Sequence, residues 1–301
     1  MLQLYKEPFI QEIEDQLFKD KGLRVYIKRE DQIHPTVSGN KWRKLKYNLH
    51  EAKTQGHDTL LTFGGAYSNH IYATAAAAHE AGLKSIGIIR GEELVDKPLN
   101  KTLSFAREQR MQLVFADREA YRQKSESNFI RTLEEEYGKF YLLPEGGTNN
   151  LAIKGCEEIL SDNDKQYDVV CCAVGTGGTI SGIIAASLRD QHVLGFSALK
   201  GDFLKSEVQI LLENYSAKKF KNWSIKTDYH FGGYAKTNHK LLDFITDFEH
   251  RHHVPLDQVY TGKMMFGIYD LISKNHFRSG AKILLIHTGG LQGALNSGIK
   301  Y

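Results

Sequence analysis

A lysine near the start of a basic segment could do covalent chemistry with a carbonyl cofactor. Lys41 follows Gly39 and Asn40 in the segment SGNKWRKLK, which covers residues 38–46. A lysine that is desolvated at the mouth of a helix can become a neutral amine and form a Schiff base. The segment also places four cations within six positions, which is typical of a solvated basic helix start. Spacing alone favours this second interpretation and does not identify the reactive lysine.

A glycine-rich loop further along the chain has the composition of a phosphate site. The apolar run at residues 168–174 leads into the segment GTGGT and then into the helical segment ISGIIAA. Glycines allow successive backbone N–H groups to converge, and a helix start adds partial positive charge, so such a loop can hold a phosphate monoester. It matches neither the dinucleotide-binding fingerprint nor the Walker A pattern. A tight turn without a ligand is the alternative. The candidate phosphate ligands are Gly175, Thr176, Gly177, Gly178 and Thr179.

A second loop of this type could bind a carboxylate. The segment GGAYSNH at residues 64–70 connects the apolar run LLTF with an alanine-rich helical segment. Ser68 and Asn69 are favourable N-cap residues, and capping alone would explain them. The same geometry presents backbone N–H groups to an anion. For His70, stacking near a cofactor and packing in the core are equally open. Two such loops indicate a phosphorylated cofactor and a carboxylate substrate.

The elements around these loops predict an α/β fold. From about Asp58, short β-rich runs alternate with amphipathic stretches, which is typical of a parallel sheet covered by helices on both faces. Ligands bind in such folds where strand ends meet helix starts. The predicted strands cover residues 60–63, 85–90, 112–115, 140–143, 169–174, 193–198 and 283–287. The predicted helices cover residues 69–81, 101–110, 118–137, 151–160, 179–189, 238–250 and 265–275.

Composition argues against several classes of protein. A chain of 301 residues suits two lobes, and 41% hydrophobic with 25% charged residues indicates a globular protein rather than a disordered one. The 39 basic residues are nearly balanced by 36 acidic ones, and they are scattered along the chain rather than clustered in a run. We therefore expect no nucleic-acid partner. The chain start lacks a long apolar stretch, and no apolar run approaches the length of a membrane span. We therefore predict a cytoplasmic protein without a membrane partner.

Neither the cysteines nor the histidines have the spacing of a metal site. Cys156, Cys171 and Cys172 are odd in number, and the adjacent pair lies in an apolar run, which predicts buried reduced thiols. Three histidines fall within residues 250–253, where a favourable position at a helix C-terminus explains them without a metal. We expect no bound metal.

Five motifs together resemble one enzyme family. They are SGNKWRKL at residues 38–45, GGAYSNH at 64–70, GTGGT at 175–179, VYTGK at 259–263 and HTGG at 287–290. They resemble, in this order, motifs of the pyridoxal-phosphate enzymes of the aminocyclopropanecarboxylate (ACC) deaminase and D-cysteine desulfhydrase family. The resemblance spans nearly the whole chain. It implies pyridoxal 5'-phosphate as cofactor, a small-molecule amino-acid substrate and a homodimer.

The resemblance implies roles for residues at the cofactor. Lys41 would be the Schiff-base lysine, and Asn69 would hydrogen-bond the phenolic oxygen of the cofactor. Residues 175–179 would cradle the phosphate. Thr288 would be the partner of the ring nitrogen.

It also implies a set of residues at the substrate. Ser68 would lie against the substrate carboxylate and act in catalysis. Tyr234 and Tyr260 match a catalytic pair that approaches the cofactor and the substrate, although core aromatics are the alternative. Asn69 and His70 would complete the substrate site.

The implied fold is fold type II of the pyridoxal-phosphate enzymes, which resembles the tryptophan synthase β subunit. A large lobe would consist of residues 1–46 and 149–301. A small α/β lobe at residues 47–148 would be inserted between them, with the cofactor in the cleft.

Two threonines bear on the substrate. ACC deaminases carry a glutamate directly after the tyrosine of the VYTGK motif and a leucine after the histidine of the HTGG motif. This chain has Thr261 and Thr288 at these two positions, and both match the D-cysteine desulfhydrase pattern. A hydroxyl partner leaves the ring nitrogen largely neutral, which suits expulsion of a β-thiolate better than opening of a cyclopropane ring. We predict α,β-elimination of a β-substituted amino acid, D-cysteine to pyruvate, ammonia and hydrogen sulfide. ACC deamination to 2-oxobutanoate and ammonia is the alternative.

Other classes fit the sequence less well. A binding protein for a phosphorylated metabolite would not require Lys41. A dinucleotide-dependent oxidoreductase would carry G-x-G-x-x-G after a strand, and the segment around Ser68 lacks the G-x-S-x-G frame of a hydrolase.

Overall fold

The computed structural model describes residues 6–293, in which two sheets are covered by helices. The strands are β1 (Ile10–Glu12), β2 (Arg24–Lys28), β3 (Thr59–Gly64), β4 (Lys84–Arg90), β5 (Met111–Ala116), β6 (Tyr141–Leu143), β7 (Val169–Val174), β8 (His192–Ser197), β9 (Trp223–Lys226) and β10 (Lys282–Ile286). The helices are α1 (Gln16–Asp20), α2 (Asn40–Thr54), α3 (Asn69–Glu80), α4 (Lys101–Glu108), α5 (Arg118–Arg122), α6 (Ser127–Tyr137), α7 (Asn150–Glu157), α8 (Gly178–Ala186), α9 (Phe203–Tyr215), α10 (His239–His252) and α11 (Thr261–Ser273). This alternation confirms the predicted α/β class.

The larger sheet combines strands from both ends of the described chain. Its order is β1-β2-β10-β7-β8-β9, and all neighbours are parallel except β1 and β2, which are antiparallel. The sequence prediction missed β1, β2 and β9. In β2 the sequence RVYIK places charges at both ends of a short apolar centre, whereas β7 and β10 are almost continuously apolar. Strands buried on both faces give such continuous runs and are the easiest to predict.

The smaller sheet is formed within residues 59–143. Its order is β5-β4-β3-β6, and every neighbouring pair is parallel. Alanines on the buried side of α3 let this helix pack closely on β3 and β4. The predicted lobe boundary between residues 46 and 47 falls inside α2, which packs against both α3 and α7. The lobe boundaries stay a prediction.

Two predicted helices differ from the structure. The single helix predicted over residues 118–137 is wrong, because α5 ends at Arg122 and α6 begins at Ser127. The polar residues 123–126 offer no apolar side chain that would hold another helical turn against the sheet. The helix predicted at residues 265–275 begins earlier, at Thr261, because a carboxylate oxygen of Asp257 accepts from the first N–H of that helix.

The three cysteines are buried and unpaired, as predicted. Cys171 and Cys172 belong to the cores on opposite faces of β7. Burial raises the pKa of the Cys156 thiol to about 11.

The histidines of residues 250–253 lie at the C-terminal end of α10. Within residues 6–293, no three His, Cys, Asp or Glu side chains are grouped so that they could hold a metal ion. No helix in the same range is long and apolar enough to cross a membrane.

Candidate active site

The carboxyl ends of both sheets meet at one cavity of about 310 Å³. This is the expected place for a ligand in an open α/β fold. Most of the predicted site residues line it: Lys41, Ser68, Asn69, His70, Gly175, Thr176, Gly177, Thr179, Tyr234, Tyr260 and Thr288. Gly178, the buried first residue of α8, does not line it. Sequence reasoning missed three charged lining residues, Lys44, Arg90 and Glu145.

Lys41 lies in the first turn of α2, which begins against the segment after β10. Gly39 precedes the helix with a φ of 62°, and a Cβ atom there would lie 2.0 Å from the carbonyl oxygen of Thr288. Only glycine permits this contact. The Lys41 Nζ donates a hydrogen bond of 2.9 Å to Asn40 Oδ1. Burial and then the charge of Lys44 lower the pKa of Lys41 to about 7, so a large fraction is the neutral, nucleophilic amine at neutral pH.

The glycine-rich loop joins β7 to α8 and directs the start of α8 at the cavity. Gly177 adopts a left-handed conformation with a φ of 82°. Gly178 begins the helix, and a Cβ atom there would lie 2.8 Å from Thr148 Oγ1 and 3.2 Å from Lys44 Nζ. The first N–H groups of a helix have no partner within the helix. Together with the helix dipole, they make this loop a fitting place for an anion.

Lys44 is a buried cation beside this loop. Its Nζ donates to the carbonyl oxygen of Gly146 at 2.9 Å and to Thr148 Oγ1 at 3.0 Å, and no salt bridge joins it to a carboxylate within residues 6–293. Burial lowers the pKa of Lys44. An ammonium group has three donors, so one remains for an anion. Lys44 follows Lys41 by three positions on the same helix, and this helical spacing was the feature of the sequence that could have identified it.

The loop after β3 both caps α3 and lines the cavity. Ser68 Oγ accepts from the backbone N–H groups of His70 at 3.2 Å and Ile71 at 3.3 Å. The Asn69 side chain accepts from Gln292. Capping and a ligand-binding position are therefore compatible here, because the capped helix start still faces the cavity.

His70 is a buried neutral ring. The Thr62 hydroxyl donates to the carbonyl oxygen of Leu143 at 2.9 Å, so it accepts from His70 Nε2, which lies 2.8 Å away. The ring proton of His70 is therefore on Nε2. Burial, followed by the charges of Lys41 and Lys44, lowers the pKa of His70 well below its usual value. His70 both packs in the interior and lines the cavity.

Tyr234 and Tyr260 form a pair with ring centres 6.2 Å apart. Tyr260 lies against Gly175, where a Cβ atom would come within 3.0 Å of its ring. Burial raises the pKa of both hydroxyl groups, so both are protonated at neutral pH. Lys263 Nζ holds the loop that carries Tyr234 by donating to two of its carbonyl oxygens, each at 2.8 Å.

The two threonines that match the desulfhydrase pattern occupy different environments. Thr288 follows β10 and lines the cavity. Thr261 is fully buried outside the lining, and its Oγ1 donates to Asp257 Oδ2 at 2.7 Å. Asp257 also accepts from the backbone N–H of Tyr260 at 2.7 Å and so positions this tyrosine. Glu145 is the one carboxylate that lines the cavity within residues 6–293.

Comparisons with known proteins agree on a single family. A family model described as "Pyridoxal-phosphate dependent enzyme" matches residues 13–289. An Arabidopsis thaliana protein named bifunctional D-cysteine desulfhydrase/1-aminocyclopropane-1-carboxylate deaminase, mitochondrial, is 34% identical over 90% of this chain and 73% of its own. A Pyrococcus abyssi protein provisionally named 1-aminocyclopropane-1-carboxylate deaminase is 32% identical over 93% of this chain and 88% of its own. A crystal structure described as an ACC deaminase homologue has a TM-score of 0.82 and 28% identity, covering 96% of this chain and 91% of that one. This chain therefore belongs to the pyridoxal-phosphate-dependent enzymes of fold type II, in the ACC deaminase and D-cysteine desulfhydrase family.

Proposed function

We propose that the enzyme catalyses α,β-elimination from a β-substituted amino acid, with D-cysteine as the substrate and pyruvate, ammonia and hydrogen sulfide as products. The observation that carries the proposal is the Thr288 hydroxyl at the cavity, where an acid would be needed to keep a pyridine nitrogen protonated. Glu145 lines the cavity from the other sheet, and the Tyr121 hydroxyl donates to it at 2.8 Å. A largely neutral ring nitrogen suits a substrate with a good leaving group.

The residues of the cavity fit pyridoxal phosphate. Lys44, a buried cation without an acidic partner in the described chain, would hold the phosphate together with residues 175–179. Lys41 would bind the carbonyl carbon, Asn69 the phenolic oxygen and Thr288 the ring nitrogen. When bound, the cofactor supplies an electron sink for the pair that remains when the substrate loses its α-proton.

Of the remaining polar groups of the cavity, some would bind the substrate and others would transfer protons. The start of α3 would bind the substrate carboxylate through the Ser68 hydroxyl and the backbone N–H of Asn69, because the N–H groups of His70 and Ile71 donate to Ser68 Oγ. Lys41 is suited to accept the α-proton, because its pKa of about 7 lets it exchange protons at neutral pH. The raised pKa values of Tyr234 and Tyr260 favour donation by their hydroxyl groups over a role as the base.

The test begins with the visible absorbance band of the purified holoenzyme. Wild type, Lys41→Ala and Lys53→Ala are compared, since Lys53 is exposed on the same helix and serves as the matched control. D-cysteine is then added, and sulfide and pyruvate are measured. We expect the band and both products from wild type and Lys53→Ala, and neither from Lys41→Ala. A wild type that shows the absorbance band but releases no sulfide would refute D-cysteine as the substrate. A wild type that takes up no cofactor would refute the cavity as the cofactor site.

ACC deamination is the second candidate, because the names of the similar proteins above include it. The direct test is release of 2-oxobutanoate from ACC, measured beside sulfide release from D-cysteine. Thr261→Glu would be a poor test, since its carboxylate would replace a hydroxyl that donates to buried Asp257 at 2.7 Å. A higher kcat/KM for ACC than for D-cysteine would make deamination the main activity.

We further propose a homodimer acting on a small amino acid in the cytoplasm. The family resemblance supports the dimer, and the location stays a prediction from the sequence. Light scattering of the purified protein tests the first point, since the mass of a single chain would contradict it.

A further inference from the structure

Arg90 is a cation of the cavity that the proposed elimination leaves without a role. It ends β4 and lines the same cavity as Lys41. Its guanidinium passes near Gly65, where a Cβ atom would lie 3.7 Å from Nη2, and lies 5.9 Å from the ring of Tyr121. No carboxylate of residues 6–293 lies within salt-bridge distance of it. A guanidinium in a ligand cavity without an acidic partner is prepared to bind an anion.

The acid that shares the cavity is already engaged elsewhere. Glu145 Oε1 accepts from the Tyr121 hydroxyl at 2.8 Å, and its Oε2 lies 3.4 Å from Lys124 Nζ. The Glu145 carboxylate is therefore already bound to the Tyr121 hydroxyl and the Lys124 ammonium. The charge of Arg90 remains available to a ligand.

Arg90 ends a different strand from those beside the two proposed anion sites, although its guanidinium lies close to Gly65 of the loop that carries Ser68. Lys44 contacts Gly146, which follows β6, and the loop of Ser68 follows β3. The sheet order β5-β4-β3-β6 places β3 between β6 and β4. Along this edge of the sheet, the proposed phosphate site beside β6 comes first, the loop after β3 that would bind the α-carboxylate comes second, and Arg90 at the end of β4 comes third. This order places Arg90 beyond the loop for the α-carboxylate.

We propose that Arg90 determines specificity by holding an anionic group on the side chain of the substrate. The inference rests on the proposed function and names its substrate class: amino acids whose β-substituent is an anion or leaves as one. In the elimination the α-proton passes to Lys41, and the electron pair of the Cα–H bond forms the Cα=Cβ bond. The Cβ–S bond breaks with its pair on sulfur, so negative charge develops on a group that a guanidinium can hold.

Aspartate and asparagine provide an isosteric pair that tests the inference without any turnover. Binding of each, in both enantiomers, is measured on the holoenzyme by calorimetry and by the change in the visible band. Wild type should bind aspartate about 10-fold more tightly than asparagine. Arg90→Gln should reduce this preference to about 2-fold or less, and Arg90→Lys should retain part of it. Arg107→Gln, at an exposed position of α4, is the matched control and should behave as wild type.

Two results would overturn the role of Arg90. Equal binding of aspartate and asparagine by wild type, including no binding of either, excludes an anion subsite. An equal loss of affinity for both ligands in Arg90→Gln would instead assign Arg90 to the α-carboxylate. The outcome is separable from the proposed elimination, because sulfide release from D-cysteine can fail while the preference for aspartate persists, or the reverse.

Discussion

The two walls of the cavity differ in their contact with solvent. The inner wall, formed by Lys44, Thr179 and Thr288, is at most 8% exposed, and Lys44 and Thr179 have fixed hydrogen-bond partners. The outer wall, formed by Arg90 and Tyr234, is open, and Tyr234 is 41% exposed. Buried polar groups with fixed partners hold one ligand in one orientation, whereas exposed groups can exchange partners. On the proposed function, the inner wall would hold one cofactor and the outer wall would select among substrates.

Substitution of Gly39 should have the largest effect, and it acts on the inner wall. Gly39 and Gly56 lie at the two ends of α2 with φ values of 62° and 75°, but only Gly39 is enclosed. Gly39→Ala should lower the free energy of unfolding by about 3 kcal/mol or more, because its Cβ would overlap the carbonyl oxygen of Thr288. Gly56→Ala should cost about 1 kcal/mol, since nothing lies within 4 Å of the added atom. Denaturant unfolding measures both, and equal costs would contradict the contact.

Loss of the Lys44 charge should separate cofactor binding from folding. Lys44→Met should weaken binding of pyridoxal phosphate about 10- to 100-fold, because the phosphate loses a charge-assisted hydrogen bond. The cofactor-free protein should keep nearly its full stability, because a desolvated cation is removed with the hydrogen bonds. Lys46→Met is the control, since Lys46 is a half-buried lysine of the same helix that pairs with Glu158 at 2.7 Å and does not line the cavity. Cofactor affinity is measured by titration of the visible absorbance band. Equal affinities in the two variants would show that Lys44 does not hold the phosphate.

Cofactor uptake should depend on pH through Lys41. Its pKa of about 7 means that the ammonium predominates below this pH and the reactive neutral amine above it. The rate of uptake by the cofactor-free protein should fall about tenfold for each pH unit below 7 and level off above it. Stopped-flow absorbance over a pH series measures this profile. A midpoint near the ordinary lysine value of 10.5 would show that Lys41 is not desolvated in the protein.

Removal of Lys263 should affect the outer wall alone and have the smallest effect. Its Nζ joins α11 to two carbonyl oxygens of the loop that carries Tyr234. Lys263→Met should raise KM for D-cysteine about fivefold, because the loop loses its anchor, while cofactor affinity stays unchanged. Lys236→Met, an exposed position in the same loop, is the control. A parallel loss of cofactor affinity would show that the two walls are not independent.

Elements with long, uniform patterns could be predicted from the sequence, and short or mixed ones could not. Strand β7 and helix α3 lie where their apolar run and alanine-rich segment predict them. Strand β2 has only three apolar residues between a charged residue at each end, too short a run to predict a strand, although it lies between β1 and β10 in the large sheet. Its place depends on hydrogen bonds to strands that are distant along the chain.

By itself the sequence determined the α/β class, the order of the motifs, and Lys41 with the two glycine-containing loops as candidates for the site. These depend on local requirements, namely apolar runs, backbone conformations open to glycine, and residue types at short spacing. Only the tertiary structure decided that Lys44 lacks an acidic partner in the described chain, that Thr261 turns to Asp257 while Thr288 faces the cavity, and that Arg90 enters it. Desolvation and pairing arise between residues that are distant along the chain, so no local pattern contains them.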